Sequence, residues 1–233
     1  LKLTGMLSEG RSGSYDKFRH RIMFPIHDRR GRVIAFGGRA LSDDGPKYLN
    51  SPETELYHKS RELYGLYQAR KRSGRLDSIL VVEGYMDVVA LAQYGFANTV
   101  ATSGTATTTQ QVEILYRAAD TIIFCFDGDR AGRQAAWRAL KSTLPKIREG
   151  LQAKFLFLPE GEDPDSMVRT HGAEKFAELL DGALPLSEFF FQHMTAETPT
   201  DSLDGRARLI QRARPFIETM PEGVFRRSEE HTS

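Results

Sequence analysis

The 233-residue chain predicts a mixed α/β fold. Its centre is a mostly parallel four-stranded sheet with flanking helices, preceded by a small basic β/α segment and followed by a helical appendage. Three observations carry that expectation. From residue 77 onward, short apolar runs alternate with helix-patterned stretches of about ten to fifteen residues, the rhythm of right-handed βαβ crossovers. Before that point two strand-like runs flank a glycine-bearing turn, and after Pro159 the apolar residues recur at helical spacing. With 40% apolar residues the chain can bury a proper core.

Residues 1–20 are polar, carry Gly5, Gly10 and Gly13, and read as an entry segment with little core of its own. Residues 21–27 and 32–37 read as strands around Asp28-Arg29-Arg30-Gly31. Pro25 cannot donate to a ladder, so it pushes the first strand towards an edge or a bulge. Residues 42–54, rich in Ser, Asp, Gly, Pro and Asn, form a loop, and a short helix over 60–71 ends at Ser73-Gly74. The fully apolar run 79–82 reads as a strand buried on both faces. A helix over 86–94 stops at Gly95, a strand follows at 99–102, and a helix over 110–119 leads to a third strand at 121–126. A long helix over 130–144 ends before Pro145, and residues 154–158 supply the fourth strand. Phe176, Leu179, Leu186, Phe189, Phe190, Leu209 and Phe216 mark the appendage. The expected divisions are therefore 1–75, 76–170 and 171–227, with 228–233 as an unstructured tail, and a chain opening on Leu1 reads as an excerpt.

Charge divides the chain as well. The net charge is only +1, yet residues 1–75 carry 16 Lys and Arg against 8 Asp and Glu, while 76–233 carry 16 against 23. A basic part joined to an acidic part fits one region that grips polyanions and another that holds cations, although chance sorting of solvated charge gives the same counts. No run approaches the roughly 18 apolar residues a membrane span needs, and no basic-then-apolar leader opens the sequence. One cysteine, Cys125, excludes an internal disulfide framework and fits a reducing compartment, and six scattered histidines beside it argue against a structural zinc site.

In open parallel sheets ligands gather beyond the carboxyl ends of the strands. Here Glu83 follows Val81-Val82 with Asp87 behind it, Asp127-Gly128-Asp129 follows residues 121–126, and Asp163-Pro164-Asp165 lies just beyond the fourth strand. On one sheet edge these carboxylates repel, and a cation or a proton must relieve them. Oxygen-only ligands suit Mg²⁺ or Mn²⁺, whose natural work is phosphoryl or nucleotidyl transfer. Structural roles compete for some of them. Asp163 before Pro164 makes a good N-cap, Asp165 favours the helix dipole, Asp129 can cap the next helix, and Asp87 sits in a first helical turn. Glu83 and Asp127 end apolar strands, where a capping role is less obvious. Ser103-Gly104-Thr105 and the Thr108…Gln111 pair read as a capped helix start, with phosphate contact as the second possibility. Cys125 and Met86 read as core. No glycine loop with a phosphate-binding lysine is present, so a P-loop ATPase is unsupported. In the basic part, Arg32, Arg39, Lys47, Tyr48, Asn50, Lys59 and Arg61 combine cations with an aromatic ring and an amide, a set that holds phosphates and stacks a base.

Glu83-Gly84-Tyr85-Met86-Asp87 followed by Asp127-Gly128-Asp129 resembles the TOPRIM signature. Together with Arg21 to Ile26, the string Pro46-Lys47-Tyr48-Leu49-Asn50-Ser51-Pro52-Glu53-Thr54 and Gly161-Glu162-Asp163-Pro164-Asp165, it resembles the bacterial DnaG-type DNA primases. The resemblance runs from about Tyr15 to the helices near Phe216. It implies a TOPRIM-type sheet and an RNA polymerase core that makes short primers on single-stranded DNA from nucleoside triphosphates, in the bacterial cytoplasm at the replication fork. Glu83, Asp127, Asp129, Asp163 and Asp165 match the family's Mg²⁺- or Mn²⁺-binding acids. Asp87 matches an auxiliary acid, Glu83 also a group for proton transfer, and Arg39, Lys47, Tyr48, Asn50 and Lys59 a basic ridge for nucleotide and template. The family's zinc ribbon and its helicase-binding domain are expected to be absent, so zinc and the replicative helicase belong to missing parts. Ser103 stands where the family usually has a hydrophobic residue. TOPRIM acids are shared with topoisomerases and nucleases, which break strands, and an inactive nucleic-acid-binding remnant is the other alternative. A receiver-like signalling domain would want a lysine ending the last strand, where this chain has Pro159-Glu160.

Overall fold

A computed structural model describes residues 4–10, 13–42, 45–104, 106–196, 198 and 200–223. The tail expected at 228–233, and Thr105 of the glycine turn, lie outside the described residues.

The central sheet forms because each apolar run has a parallel partner. Strands β6 (Leu76–Val82), β7 (Thr99–Ala101), β8 (Ala119–Phe126) and β9 (Gln152–Phe157) pair in parallel in the order β9-β8-β6-β7. Helices α2 (Tyr85–Gln93), α3 (Thr109–Tyr116), α4 (Arg130–Thr143) and α5 (Pro164–Asp181) alternate with them. Among the described residues the sheet has five strands, not four. Strand β10 (Leu184–Pro185) adds an antiparallel edge, with Leu184 opposite Phe155. Two residues carry too little pattern to announce a strand; the exposed edge of β9 makes it.

The preceding segment is built the other way. Strands β3 (Arg21–His27), β4 (Val33–Ala40) and β5 (Tyr48–Asn50) form an antiparallel sheet in that order. Pro25 lies on edge strand β3, just before the register shift at Ile26 and His27. Strand β5 falls in the stretch 42–54 expected to be loop, because β4 offers it a ladder: Arg39 stands opposite Tyr48 and Gly37 opposite Asn50. The expected entry segment likewise contains a hairpin, β1 (Leu7–Gly10) with β2 (Gly13–Asp16). The helix expected over 60–71 begins only at α1 (Leu66–Ser73). Tyr64 exchanges two backbone hydrogen bonds with Ala101, both 3.0 Å, and Gly65 turns the chain through φ 86° before the helix starts. Helix α3 stops at Tyr116, short of the expected residue 119, because Ala119 already belongs to β8.

The parallel sheet is buried on both faces. Ile79, Val81, Ile122, Phe124 and Phe155 pack with α3, α4, α6 (Leu186–Ala196) and α7 (Leu203–Ile217) in one apolar cluster. Leu80, Val82, Cys125 and Leu156 pack with α2 and α5 on the other. A third cluster, Phe24, Ile26, Ala35, Tyr57 and Tyr85, joins the antiparallel sheet to the start of α2. Helix α5 is kinked at Gly172. Among the described residues no helix is long and apolar enough to cross a membrane.

Candidate active site

Three strand ends on one edge of the parallel sheet deliver the acids. Glu83 leaves β6, and its neighbour Gly84 opens α2, where the Gly84 N–H donates to Asp87 Oδ2 at 3.1 Å. Asp127 leaves β8, and Gly128 lets the chain pass hard against the end of β9: a Cβ there would stand 2.1 Å from the Leu158 carbonyl oxygen. Asp129 then caps α4, accepting from the Gly132 N–H at 2.7 Å. Asp163 caps α5, accepting from the Ser166 N–H at 2.6 Å, and Asp165 accepts from Arg169 Nε at 2.5 Å. The structural roles foreseen for Asp87, Asp129, Asp163 and Asp165 are all realised. Among the described residues, Glu83 and Asp127 have no hydrogen-bond or ion-pair partner for their carboxylates.

Glu83, Asp87, Asp127, Asp163 and Asp165 line a pocket of about 340 Å³. Arg39, Lys47, Tyr48 and Asn50, from β4, β5 and the loop between them, line its other side. Asp129 stands outside the lining but within electrostatic reach, since it helps raise the pKa of Asp127. Lys59 is not in the pocket. It lies near Lys17, whose pKa is lowered by burial and then by Lys59, and its backbone is fixed by Glu53 and Gln111.

Burial and crowding set the electrostatics. Burial, then Asp163, pushes the Asp87 carboxyl up to about 7, against the opposing Gly84 N–H and with help from Asp127 and Asp165. Burial, then Glu83, Asp163 and Asp129, pushes Asp127 up to about 6. Glu83, at the accessible mouth, is raised by desolvation and by Asp129, and Arg138 opposes the rise. Crowded, partly buried carboxylates raise one another's pKa in this way, and a cation among them would oppose the rise. Among the described residues no three His, Cys, Asp or Glu side chains form a closed metal-binding group. The acids ring an open space instead, which suits a hard cation that keeps waters and shares phosphate oxygens.

The basic wall is polarised too. Arg39 and Lys47 stand 6.0 and 5.9 Å from the centre of the Tyr48 ring. The Tyr48 hydroxyl pKa is raised by burial and by Asp87, Asp163 and Asp165, with Arg39 opposing. Asn50 is committed on both sides: its amide donates to the Ser103 carbonyl at 2.9 Å, and its oxygen accepts from the Tyr85 hydroxyl. Asn50 therefore positions the wall against the glycine turn. Sequence reasoning missed two participants. Tyr85 stands inside the Glu83–Asp87 motif without a role of its own there, and Arg138 faces Glu83 across a neighbouring cavity of about 190 Å³. Its only trace in the sequence is a cation on the helix that Asp129 starts. Cys125 is buried and its thiol pKa is raised by that burial, as expected for core rather than nucleophile.

Comparison with known proteins adds an independent line. Three family models match in order: "DNA primase catalytic core, N-terminal domain" over residues 1–70, "Toprim-like" over 80–168, and "DnaB-helicase binding domain of primase" over 187–228. The last corrects the expectation that a helicase-binding part is absent. The appendage's generic apolar spacing carried no signal for it. The DNA primase of Pseudomonas aeruginosa is 58% identical over 213 residues, which are 91% of this chain and 32% of that protein. The DNA primase of Escherichia coli K12 is 53% identical over 223 residues, 95% of this chain and 38% of its own. The chain thus spans about a third of the length of the curated relatives it matches. Among solved structures, a DNA primase domain from Pseudomonas aeruginosa superposes with a TM-score of 0.95 at 53% identity, covering 98% of this chain and 72% of that one. A DnaG primase catalytic domain bound to ssDNA superposes equally well, with a TM-score of 0.95 at 52% identity and the same shares of the two chains.

Proposed function

The chain belongs to the catalytic cores of DnaG-type bacterial DNA primases, and from that premise we propose that it joins ribonucleotides into short RNA primers on a single-stranded DNA template. One observation supports this best: an acidic wall and a basic wall share a single pocket. Glu83, Asp127 and Asp129 are the proposed catalytic acids, and Asp87, Asp163 and Asp165 complete the proposed metal-binding set. Mg²⁺ or Mn²⁺ bound there supplies charge neutralisation of a triphosphate and a lowered pKa for a ribose hydroxyl.

The side chains divide the work. Glu83, exposed and unengaged at the mouth, accepts the proton of the attacking 3′-hydroxyl as its oxygen bonds to the α-phosphorus and pyrophosphate leaves. Asp127, raised to about 6, remains mostly ionised at neutral pH, and positive charge beside it favours that charged form further. Arg39 and Lys47 hold phosphates without reading sequence, and Tyr48 offers a ring face for a base. Asn50 keeps that wall at its distance, and Lys59 extends the positive track beyond the pocket.

The further assignments follow the same reading. Residues 1–75 form the basic subdomain, 76–170 the TOPRIM domain and 171–227 a helical subdomain whose 187–228 match supports contact with a replicative helicase. The cell compartment proposed is the bacterial cytoplasm, at the replication fork. All curated relatives named above are primases, which disfavours a strand-breaking topoisomerase or nuclease and an inactive remnant. The test is Mg²⁺- or Mn²⁺-dependent incorporation of labelled ribonucleotide on a single-stranded template. Template-dependent RNA is expected; nicking or relaxation of DNA without RNA synthesis overturns the reading.

A further inference from the structure

A second cavity, of about 260 Å³, opens where the turn between β3 and β4 meets α1. Four exposed cations ring it: Arg29 from the turn, Arg61 from the stretch before α1, and Arg70 and Lys71 from α1. Two carboxylates also line it, and neither cancels the ring. Asp28 is already engaged, accepting from the backbone N–H groups of Arg30 and Arg32 at 2.8 and 2.9 Å and pairing with the Arg32 guanidinium at 2.7 Å. Glu62 faces Arg29 and Arg61 and leaves the remaining positive charge in surplus.

The interior is apolar and aromatic. Leu63, Leu66 and Ile114 lie beneath, and the His27 ring stacks on Tyr67 at 5.8 Å with 25° between planes. Gln68 steadies that imidazole at 3.0 Å, and the Lys71 ammonium stands 5.9 Å from the Tyr67 ring centre. Guanidinium groups above an apolar, aromatic-sided floor match a phosphate joined to a flat heterocycle.

We propose that this cleft binds a nucleotide unit, its phosphate on Arg29, Arg70 and Lys71 and its base against Tyr67 and the leucine floor. The site is remote from the acidic pocket. Arg39 and the β3–β4 turn lie at opposite ends of β4, six strand steps or roughly 20 Å apart. The inference goes beyond the reaction proposed above and holds whether or not the acidic pocket joins nucleotides. The unit comes either free or as one link of a strand passing over the hairpin end.

The test is fluorescence anisotropy in EDTA, which silences metal-dependent binding at the acidic pocket, with two probes: a fluorescent ADP analogue and a labelled twelve-residue oligothymidylate. The triple variant Arg29→Gln/Arg70→Gln/Lys71→Gln is compared with Lys141→Gln/Arg148→Gln/Arg206→Gln, which removes equal charge elsewhere. Circular dichroism and thermal melting confirm that both fold. The cleft variant is expected to bind at least one probe about tenfold more weakly, with the salt slope of log Kd reduced by about 2 to 3. Weakening confined to the ADP analogue identifies a free nucleotide, and weakening confined to the oligonucleotide identifies a strand contact. Unchanged affinity for both probes, or an equal loss in the control variant, overturns the proposal.

Discussion

The acidic wall of the pocket hangs from the ends of buried parallel strands, whereas the basic wall rides on β5 and the end of β4 in a small antiparallel sheet. Glu83 and Asp127 each sit between the end of a ladder and a helix start, and Asp129 and Asp163 are N-caps. Asp127 emerges from a strand whose Ile122 and Phe124 are fully buried, and Gly128 has no room for even one more carbon. Lys47 and Tyr48, in contrast, are exposed, and their loop is tied by Arg21 reaching the Pro46 carbonyl at 2.8 Å. The difference teaches that the two charges are not mirror images. Gathering negative charge needs rigid scaffolding because the acids repel one another; presenting positive charge to a polyanion needs only reach.

That contrast can be broken by mutation. The largest effect is expected from Glu83→Gln, which keeps the shape of an exposed residue but removes its proton acceptor. Primer synthesis should fall by about a hundred- to ten-thousandfold, with stability changed by less than about 0.5 kcal/mol. Normal primer yields would end the role given to Glu83. Gly128→Ala should damage scaffold and chemistry together, costing about 1 to 3 kcal/mol by denaturant unfolding because backbone, not a flexible side chain, must yield. An unchanged unfolding midpoint would show that the acidic wall is softer than argued.

Asp87 offers a sharper, pH-resolved version. Its folded carboxyl, pushed up to about 7, binds a proton more tightly than the unfolded one near 3.8. The unfolded state ionises first, so its burial costs nothing below pH 4 and weighs progressively on stability as pH rises to 7. In chelator, Asp87→Asn should therefore match the parent's melting temperature at pH 4 and exceed it at pH 8. Divalent cation should narrow the gap at pH 8. The smallest effect belongs to the other wall: Lys47→Ala should weaken single-stranded DNA binding by about tenfold or less and lower the salt slope by about 1, leaving the fold intact. An effect on stability as large as that of Gly128→Ala would erase the contrast.

The parallel sheet and its acids were legible because both depend on local order: an apolar run, then a carboxylate, then a helix. Glu83 and Asp127 could be singled out because nothing local needed them, and among the described residues nothing binds them. What stayed hidden depends on partners far along the chain. The β1–β2 hairpin, β5 and β10 are short, with weak patterns of their own, and exist because a neighbouring strand edge is available. The stretch before α1 has helical composition, but Tyr64 finds Ala101 37 positions away and the extended pair wins. Lys59 and Asn50 belong to the same expected basic ridge as Lys47, yet Lys59 lies outside the pocket with its backbone tied to Glu53 and Gln111, and partners occupy Asn50. A motif groups residues by sequence; contacts decide which of them face a ligand.

The Asn50–Ser103 bond ties the basic wall to the turn after β7, and two residues earlier the Tyr64–Ala101 exchange pins the chain before α1 to β7 itself. The aperture is consequently a fixed-jaw calliper rather than a hinge. Substrates must arrive already shaped to the gap, and little ordering entropy is spent at each turnover on drawing the jaws together.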